Sequence, residues 1–301
     1  MLLLVNSSAS SVTARARVVI QKALSADHEV TLAETSRRGH ATRLAQAAST
    51  DGTEAVVVLG GDGTMNEAAN GLAGTATALA ALPGGSTNVF ARTLGLPDDP
   101  IEATGVLLEA LARDSIRRVG LGLVNGRYFL FHAGMGFDAA IVSRVERRAS
   151  LKRYASHPLF LFSAVETWFR HYDHSRPRFA VHAQGEAVDD VYFGVCLNTN
   201  PYTYLGTRPL NLAPDTTLDT GLAMLSVRSL QFTTIIGLAA SALASGDHLR
   251  HSRQVDYRTD LSELSIEGYG PFPYQVDGDY LGEVTSLEFR HEPEAIALVI
   301  P

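Results

Sequence analysis

Over the first third of the chain, short aliphatic runs alternate with longer amphipathic stretches. Residues 2–5, 30–33, 56–59 and 77–82 have strand length and strand composition, while 12–24, 41–48 and 101–113 repeat their apolar positions at helical spacing. This rhythm predicts a parallel sheet with helices on both faces. From about Ser115 it changes. Asn125-Gly126, between VGLGLV and RYFLFH, is a hairpin signal, and 190–197, 222–227, 261–266, 285–290 and 295–300 read as strands. Helices are predicted near 139–150, 158–172 and 232–245, and Asp277-Gly278 marks a late tight turn. A mostly antiparallel second domain is therefore expected to follow an α/β first domain.

The segment 56–72, VVVLGGDGTMNEAANGL, carries most of the chemistry. A buried strand leads into Gly60, Gly61 and Gly63, which let the backbone turn sharply, and a helix follows with Thr64, Asn66 and Glu67 in its first turn. The helix N–H groups and its positive dipole end point back at the turn, an arrangement that holds a phosphate. Asp62 would repel a phosphate there unless it serves a metal, a catalytic proton or a donor hydroxyl. A simple strand-to-helix turn capped by Asp62 is the plainer alternative. The segment is not the usual P-loop, since no Lys-Ser or Lys-Thr closes the glycine run.

A second turn of the same kind lies at 82–97, LPGGSTNVFARTLGLP. Gly84 and Gly85 permit close backbone approach, Ser86, Thr87 and Asn88 offer hydroxyl and amide partners, and Arg92 follows about a turn later. Two such turns after consecutive strands define a crevice at the carboxyl ends of a parallel sheet, where nucleotides bind in open α/β folds.

Composition narrows the classes. The 301 residues are 46% hydrophobic and 19% charged, which suits two packed domains. A net charge of −7 argues against a general nucleic-acid binder. The single cysteine, Cys196, sits in an apolar run and reads as a small buried hydrophobe. MLLLVNSSASS lacks a basic leader region and reads as a first strand. Apolar stretches at 158–164 and 235–244 are shorter than the roughly 20 residues of a membrane span. A cytoplasmic protein is expected, with membrane contact at most peripheral.

GGDGTMNEAANGL followed by PGGSTNVFARTLGLP resembles the diacylglycerol kinase and sphingosine kinase catalytic family, in its bacterial lipid kinase branch. Further matches are FLFHAGMGFDA at 129–139, PYTYLG at 201–206, LDTGL at 218–222 and VDGDYLG at 276–282. The GGDGT element alone is shared with NAD kinases. The resemblance implies a Rossmann-like nucleotide-binding domain over 1–120, a β-sandwich substrate domain over 121–292, and a C-terminal segment, about 293–301, that returns to the first domain. It implies that Gly60, Gly61, Gly63, Thr64, Met65, Asn66 and Glu67 bind ATP. Gly85, Ser86, Thr87, Asn88, Gly278 and the loop Asn6, Ser7, Ser8, Ala9, Ser10 would assist, with Thr35 a further candidate. Asp279 matches the family's catalytic base, usually Glu, with Asp62 as its neighbour. Magnesium would arrive with the nucleotide. Asp219-Thr220-Gly221 replaces the Asp-Asp-Gly common in relatives, so a separate structural magnesium site would lack a ligand here. The metal ligands themselves are not assigned.

Gly134-Met135-Gly136-Phe137-Asp138-Ala139 has the GxGxxA form of a dinucleotide fingerprint but lies in the strand-rich half without a βαβ unit. Asp138 inherits only a supporting role from the resemblance. His248 and His251 lack partners for a metal set and read as surface. In RVERRASLKRY, Arg144, Arg147, Arg148, Lys152 and Arg153 face one acid, Glu146, and aromatic residues follow to Tyr172. That run fits either an anionic membrane surface or a solvated helix face. The expected activity is ATP-dependent phosphorylation of a lipid hydroxyl, diacylglycerol by default. Sphingoid-base or other lipid-alcohol kinase, NAD kinase-like enzyme and catalytically silent membrane-binding protein are the alternatives. A homodimer is left open.

Overall fold

The aliphatic runs of the first third become parallel strands, β1 (Leu2–Val5), β2 (Thr31–Glu34), β3 (Ala55–Gly60) and β4 (Ala78–Pro83). The computed structural model describes residues 1–147, 166–167, 172–246 and 252–301. These fall into two units, Met1–Leu121 with Pro293–Pro301, and Gly122–Glu292.

In the first unit the strand order is β2-β1-β3-β4, with Leu2 level with both Thr31 and Val56, and Val56 level with Leu79. β1, β3 and β4 are buried along their whole length, whereas the edge strand β2 carries Thr31 and Glu34 exposed. Helices α1 (Ala14–Leu24), α2 (His40–Thr50), α3 (Asp62–Leu72), α4 (Val89–Thr93) and α5 (Pro100–Ala112) connect and cover them. The chain moves one way from β1 to β2 and the other way from β2 to β3. Right-handed crossovers then put α1 on the opposite face from α2 and α3. Accordingly α2 packs with α3, and α1 with α5. The reversal places a switch point between β1 and β3, where open α/β sheets bind ligands beyond the strands' carboxyl ends. Leu298, near the end of the last strand, lies parallel to Leu79 of β4.

The second unit is built from antiparallel ladders. Its strands are β6 (Arg127–Phe129), β7 (His132–Gly136), β8 (Phe179–Ala183), β9 (Glu186–Val191), β10 (Phe193–Leu197), β11 (Thr203–Leu205), β12 (Arg208–Leu210), β13 (Leu222–Val227), β14 (Val255–Leu261) and β15 (Glu263–Val276). β5 (Ile116–Val124) and β16 (Asp279–Val299) each have residues in both units. The order β14-β13-β10-β7-β15-β16 forms the main ladder, and the β8–β9 hairpin pairs with β15. The core packs Phe129 edge-on to Phe289 and Phe179 against Phe272, with Met135, Val181, Ile266 and Leu287 around them. Cys196 is fully buried on β10, and burial pushes its thiol pKa up, so it is a small hydrophobe there. Among the described residues, the helices of this unit are α6 (Phe137–Arg147) and α7 (Phe232–Leu243).

Two strand assignments change. The run 190–197 is two strands, β9 and β10, and 261–266 straddles the break between β14 and β15. In each case an aspartate beside the break takes a left-handed conformation, Asp190 at φ 59° and Asp260 at φ 54°, which composition does not show. Conversely 285–290 and 295–299 belong to the single strand β16, which ends one residue short of the predicted run. Residues 148–150 of one predicted helix lie outside the described residues, as do 158–165 and 168–171 of the next. So do Arg148, Lys152, Arg153, His248 and His251.

The α2–α3 contact yields a test. A Cβ on Gly71 of α3 would sit 2.5 Å from the Thr42 carbonyl oxygen and 2.9 Å from Ala45 Cβ. Ala gains about 1 kcal/mol of helix propensity over Gly, but overpacking against backbone costs about 1–3 kcal/mol. Gly71→Ala is therefore expected to lower stability in urea unfolding by up to about 2 kcal/mol. A stabilised variant would show that the two helices part freely.

Candidate active site

The two glycine turns lie side by side at the carboxyl ends of β3 and β4, where Gly60 is level with Pro83. Gly84 N donates to Gly60 O at 2.9 Å. A Cβ on Gly84 would lie 2.8 Å from Gly60 N, and one on Gly85 would lie 2.8 Å from Gly61 Cα. The glycines are thus required by backbone-to-backbone contact between the turns as well as by their curvature. The β1 loop joins them: Ser11 N donates to Gly84 O, Ser11 Oγ to Gly85 O, and Asn6 Nδ2 to Thr64 Oγ1. No side chain caps α3, whose N-cap is Gly61, so its leading amides open toward these loops.

Asp62 answers the question its position raises. Its Oδ2 accepts from Val89 N and its Oδ1 from Phe90 N, each at 3.1 Å. The carboxylate therefore caps α4, the helix of the second turn, rather than its own, and clamps one turn to the other. Asn88 closes the second turn from within, accepting from Gly85 N at 2.7 Å and donating to Gly85 O and Asp98. Glu67 faces away: its carboxylate accepts from Gly39 N and Ala41 N and caps α2. Ser7 Oγ donates to Glu34. By contrast the hydroxyls of Ser8, Ser10, Thr35, Ser86 and Thr87 have no hydrogen-bond partner among the described residues. The predicted nucleotide set thus divides into residues that build the loops, among them Gly60, Gly85, Asn6, Asn88 and Glu67, and hydroxyls that engage no described residue. Ser11, which ties the loops, was not singled out from sequence, since a serine in a serine-rich run carries no distinguishing spacing.

In the second unit, Asp277-Gly278 form the two-residue turn between β15 and β16, with φ values of 47° and 81°, so Val276 pairs with Asp279. Asp277 is buried, and its carboxylate accepts from Leu130 N at 2.7 Å, Phe131 N at 3.0 Å and His132 N at 3.1 Å. Gly278 N donates to Gln275 Oε1, and Gln275 Nε2 donates to Asp138 Oδ2, both at 2.8 Å. Tyr202 OH donates to Asp138 Oδ1. Burial pushes the Asp138 and Tyr202 pKa values up. The chain of contacts fixes the turn, and Asp279 leaves it held by Arg127 at 3.0 Å, both side chains partly exposed. Sequence spacing could not reveal Arg127, 152 positions away.

The GxGxxA string is explained by this network. A Cβ on Gly134 would fall 1.6 Å from Asp138 Oδ2, and Gly136 turns β7 into α6 at φ 72°. β7 pairs antiparallel with β10 and β15, which excludes a dinucleotide-binding βαβ unit at this motif. Among the described residues no three His, Cys, Asp or Glu side chains cluster to hold a metal ion. Thr220 closes its own turn, its Oγ1 accepting from Thr217 N and donating to Thr217 O.

Residues 1–124 match the family described as the diacylglycerol kinase catalytic domain. A protein of Chromohalobacter salexigens named "Probable lipid kinase YegS-like" is 37% identical over half of this chain, a match spanning 49% of that protein's length. The "Diacylglycerol kinase" of Bacillus subtilis is 28% identical over 94% of this chain and 89% of its own. A crystal structure described as a diacylglycerol kinase from Bacillus anthracis superposes with a TM-score of 0.79 at 22% identity, covering 100% of this chain and 96% of that one, and shows the fold.

His132 gives a pH test of the second network. It is buried, its Nδ1 has no hydrogen-bond partner among the described residues, its ring centroid lies 4.3 Å from that of Tyr202, and burial lowers its pKa from 6.5 to about 3. A depressed folded-state pKa contributes stability above the unfolded value and loses it as pH falls toward the folded one. Between about pH 7.5 and 5 the unfolded chain takes the proton and the folded chain does not, a loss of about 2 kcal/mol. Chemical denaturation of His132→Phe across that range should show a shallower fall than the parent by that amount. Parallel profiles would mean that His132 protonates in place.

Proposed function

We propose that this chain, whose residues 1–124 belong to the diacylglycerol kinase catalytic domain family, transfers the γ-phosphoryl group of ATP to a lipid hydroxyl. Diacylglycerol is the first acceptor to test, with sphingoid bases and other lipid alcohols after it. The observation that carries the reading is the pair of interlocked glycine turns at the carboxyl ends of β3 and β4, next to the β1/β3 switch point, with the hydroxyls of Ser8, Ser10, Ser86 and Thr87 in the adjoining loops unengaged among the described residues. Backbone amides and hydroxyls of this kind suit the triphosphate, and α3's N-terminus favours its charge. Phosphoryl transfer is mostly positioning and charge stabilisation, so a stiff loop pair is the larger part of the protein's task.

In this proposal Asp62 is a positioning residue, because its two oxygens hold the α4 amides. Asp279 orients and deprotonates the acceptor hydroxyl, held in place by Arg127 and by the Asp277 turn. The divalent cation, typically magnesium, would enter with the nucleotide and spread phosphate charge. The chain would act on the cytoplasmic side, at the membrane surface. No helix among the described residues is long and apolar enough to cross a membrane.

Labelled ATP incubated with a total lipid extract, and separately with NAD, tests the reading. A labelled lipid supports it, a labelled NAD product overturns it, and nucleotide binding without any product marks a silent protein. Asp279→Asn is expected to leave ATP affinity nearly unchanged and to lower kcat by roughly two to four orders of magnitude. Asp279→Glu should retain substantial turnover. An Asn variant as fast as the parent would reduce Asp279 to a turn residue.

Asp62→Asn should behave differently. An amide offers one acceptor where the carboxylate offers two, so an α4 amide loses its charged partner. The expected outcome is an increase of roughly tenfold in KM for ATP, with a smaller change in kcat. A selective loss of kcat would instead mark Asp62 as acting on the reacting groups.

A further inference from the structure

Helix α7 departs from the pattern of the other helices among the described residues. From Ser229 to Gly246 the sequence has no Asp, Glu, Lys or Arg, and FTTIIGLAASAL fills the helix. One face meets the protein: Ile235 packs beside Leu230 and Tyr192, Leu238 beside Leu225 and Val227, and Ser241 and Ala242 are buried. The opposite face carries Phe232, Ile236 and Leu243 at 52%, 51% and 41% exposure, with Ala239 and Ala240 exposed between them. A helix with no charged residue and apolar side chains on its outer as well as its inner face normally lies against protein or lipid on both. Phe232, Ile236, Ala239, Ala240 and Leu243 follow helical spacing, so they form one continuous stripe.

The same excursion carries a charged feature at its root. α7 lies on the connection between β13 and β14, whose ends meet where Val227 pairs with Val255. Arg228 and Arg253 flank that pair, and Arg228 N donates to Gln254 O at 2.9 Å. With Gln254, Tyr192, Pro177 and Asp190 they line a recess of about 490 Å³. Both arginines are exposed, and neither has an ion-pair or hydrogen-bond partner for its guanidinium among the described residues. Asp190 is the single carboxylate of the lining, so the recess is net positive.

We propose that α7 and this recess form a docking surface for an anionic phospholipid bilayer. The outer stripe of α7 enters the boundary between headgroups and acyl chains, while Arg228 and Arg253, outside the helix, supply the charge that takes a lipid phosphate. An anionic bilayer matches both features at once, its headgroup phosphates the net-positive recess and its acyl chains the uncharged stripe. The proposal draws on the lipid-kinase reading only for the reason such an enzyme needs a bilayer. The surface itself does not depend on catalysis.

Flotation with phosphatidylcholine vesicles, with and without phosphatidylglycerol, tests it in the full chain without ATP. The parent should float with the anionic vesicles. Phe232→Ser combined with Ile236→Ser and Leu243→Ser should lower partitioning on the order of a hundredfold at every salt concentration. Arg228→Gln combined with Arg253→Gln should lower it about tenfold or more at low salt, and the difference should shrink at high salt. Circular dichroism melts of both variants matching the parent establish that folding is intact. As a second readout, Phe232→Trp fluorescence, measured against the parent's only tryptophan, Trp168, should be quenched by brominated acyl chains. Absent quenching, or unchanged flotation of the triple variant, overturns the proposal. So does a parent dimer that the triple variant loses while neither binds vesicles, which would assign the face to self-association. Activity on detergent-dispersed lipid, measured in parallel, keeps the two readings apart: an inactive parent that floats fails as a kinase and stands as a membrane-docking protein.

Discussion

Gly60 and Gly84 touch backbone to backbone, joined by a hydrogen bond of 2.9 Å, and Gly85 packs against Gly61 so closely that a Cβ on it would lie 2.8 Å from Gly61 Cα. Everything at the carboxyl end of the first unit is arranged around that contact. Two loops from neighbouring strands become one body, so a displacement of either carries the other with it. Asp62 reinforces the join through α4, Asn6 ties α3 to the β1 loop, and Ser11 ties the same loop to the second turn. A methyl group on Gly60, Gly84 or Gly85 would meet atoms under 3.0 Å away, so side chains are excluded where the loops meet.

The second unit reaches comparable rigidity by other means. Its turn is fixed by polar groups taken out of water: Asp277 on three backbone amides, and Asp138 between Tyr202 and Gln275. A buried carboxylate is costly unless its oxygens are satisfied, and satisfied networks of this kind specify a single arrangement. The network converges on the hairpin whose first strand residue after the turn is Asp279.

Legibility followed the range of the interactions. Strands β1 to β4, the two glycine turns and both Asn-Gly and Asp-Gly hairpins were readable because their causes lie within a few residues of each other. The contact between the turns was not, since Gly60 and Gly84 are brought together only by the register of β3 and β4. Glu67 illustrates the same limit: its place in the first turn of α3 suggested a ligand, yet the amides of Gly39 and Ala41 on another helix claim it. Asp62 did cap a helix, but one 27 residues on. The breaks at Tyr192 and Ser262 depended on left-handed aspartates that no apolar pattern announces.

The strand at the outer side of β4 comes from residues near Leu298, after all of Gly122–Glu292. During synthesis the first unit emerges with that edge uncovered, and at ribosomal rates the covering segment follows on the order of ten seconds or more later. An unpaired parallel edge is a template for pairing with other chains. The nascent first unit therefore passes through a window in which its sheet is sticky, and the chain's own final strand closes it. A chaperone that shields β4 during translation would act on this interval alone.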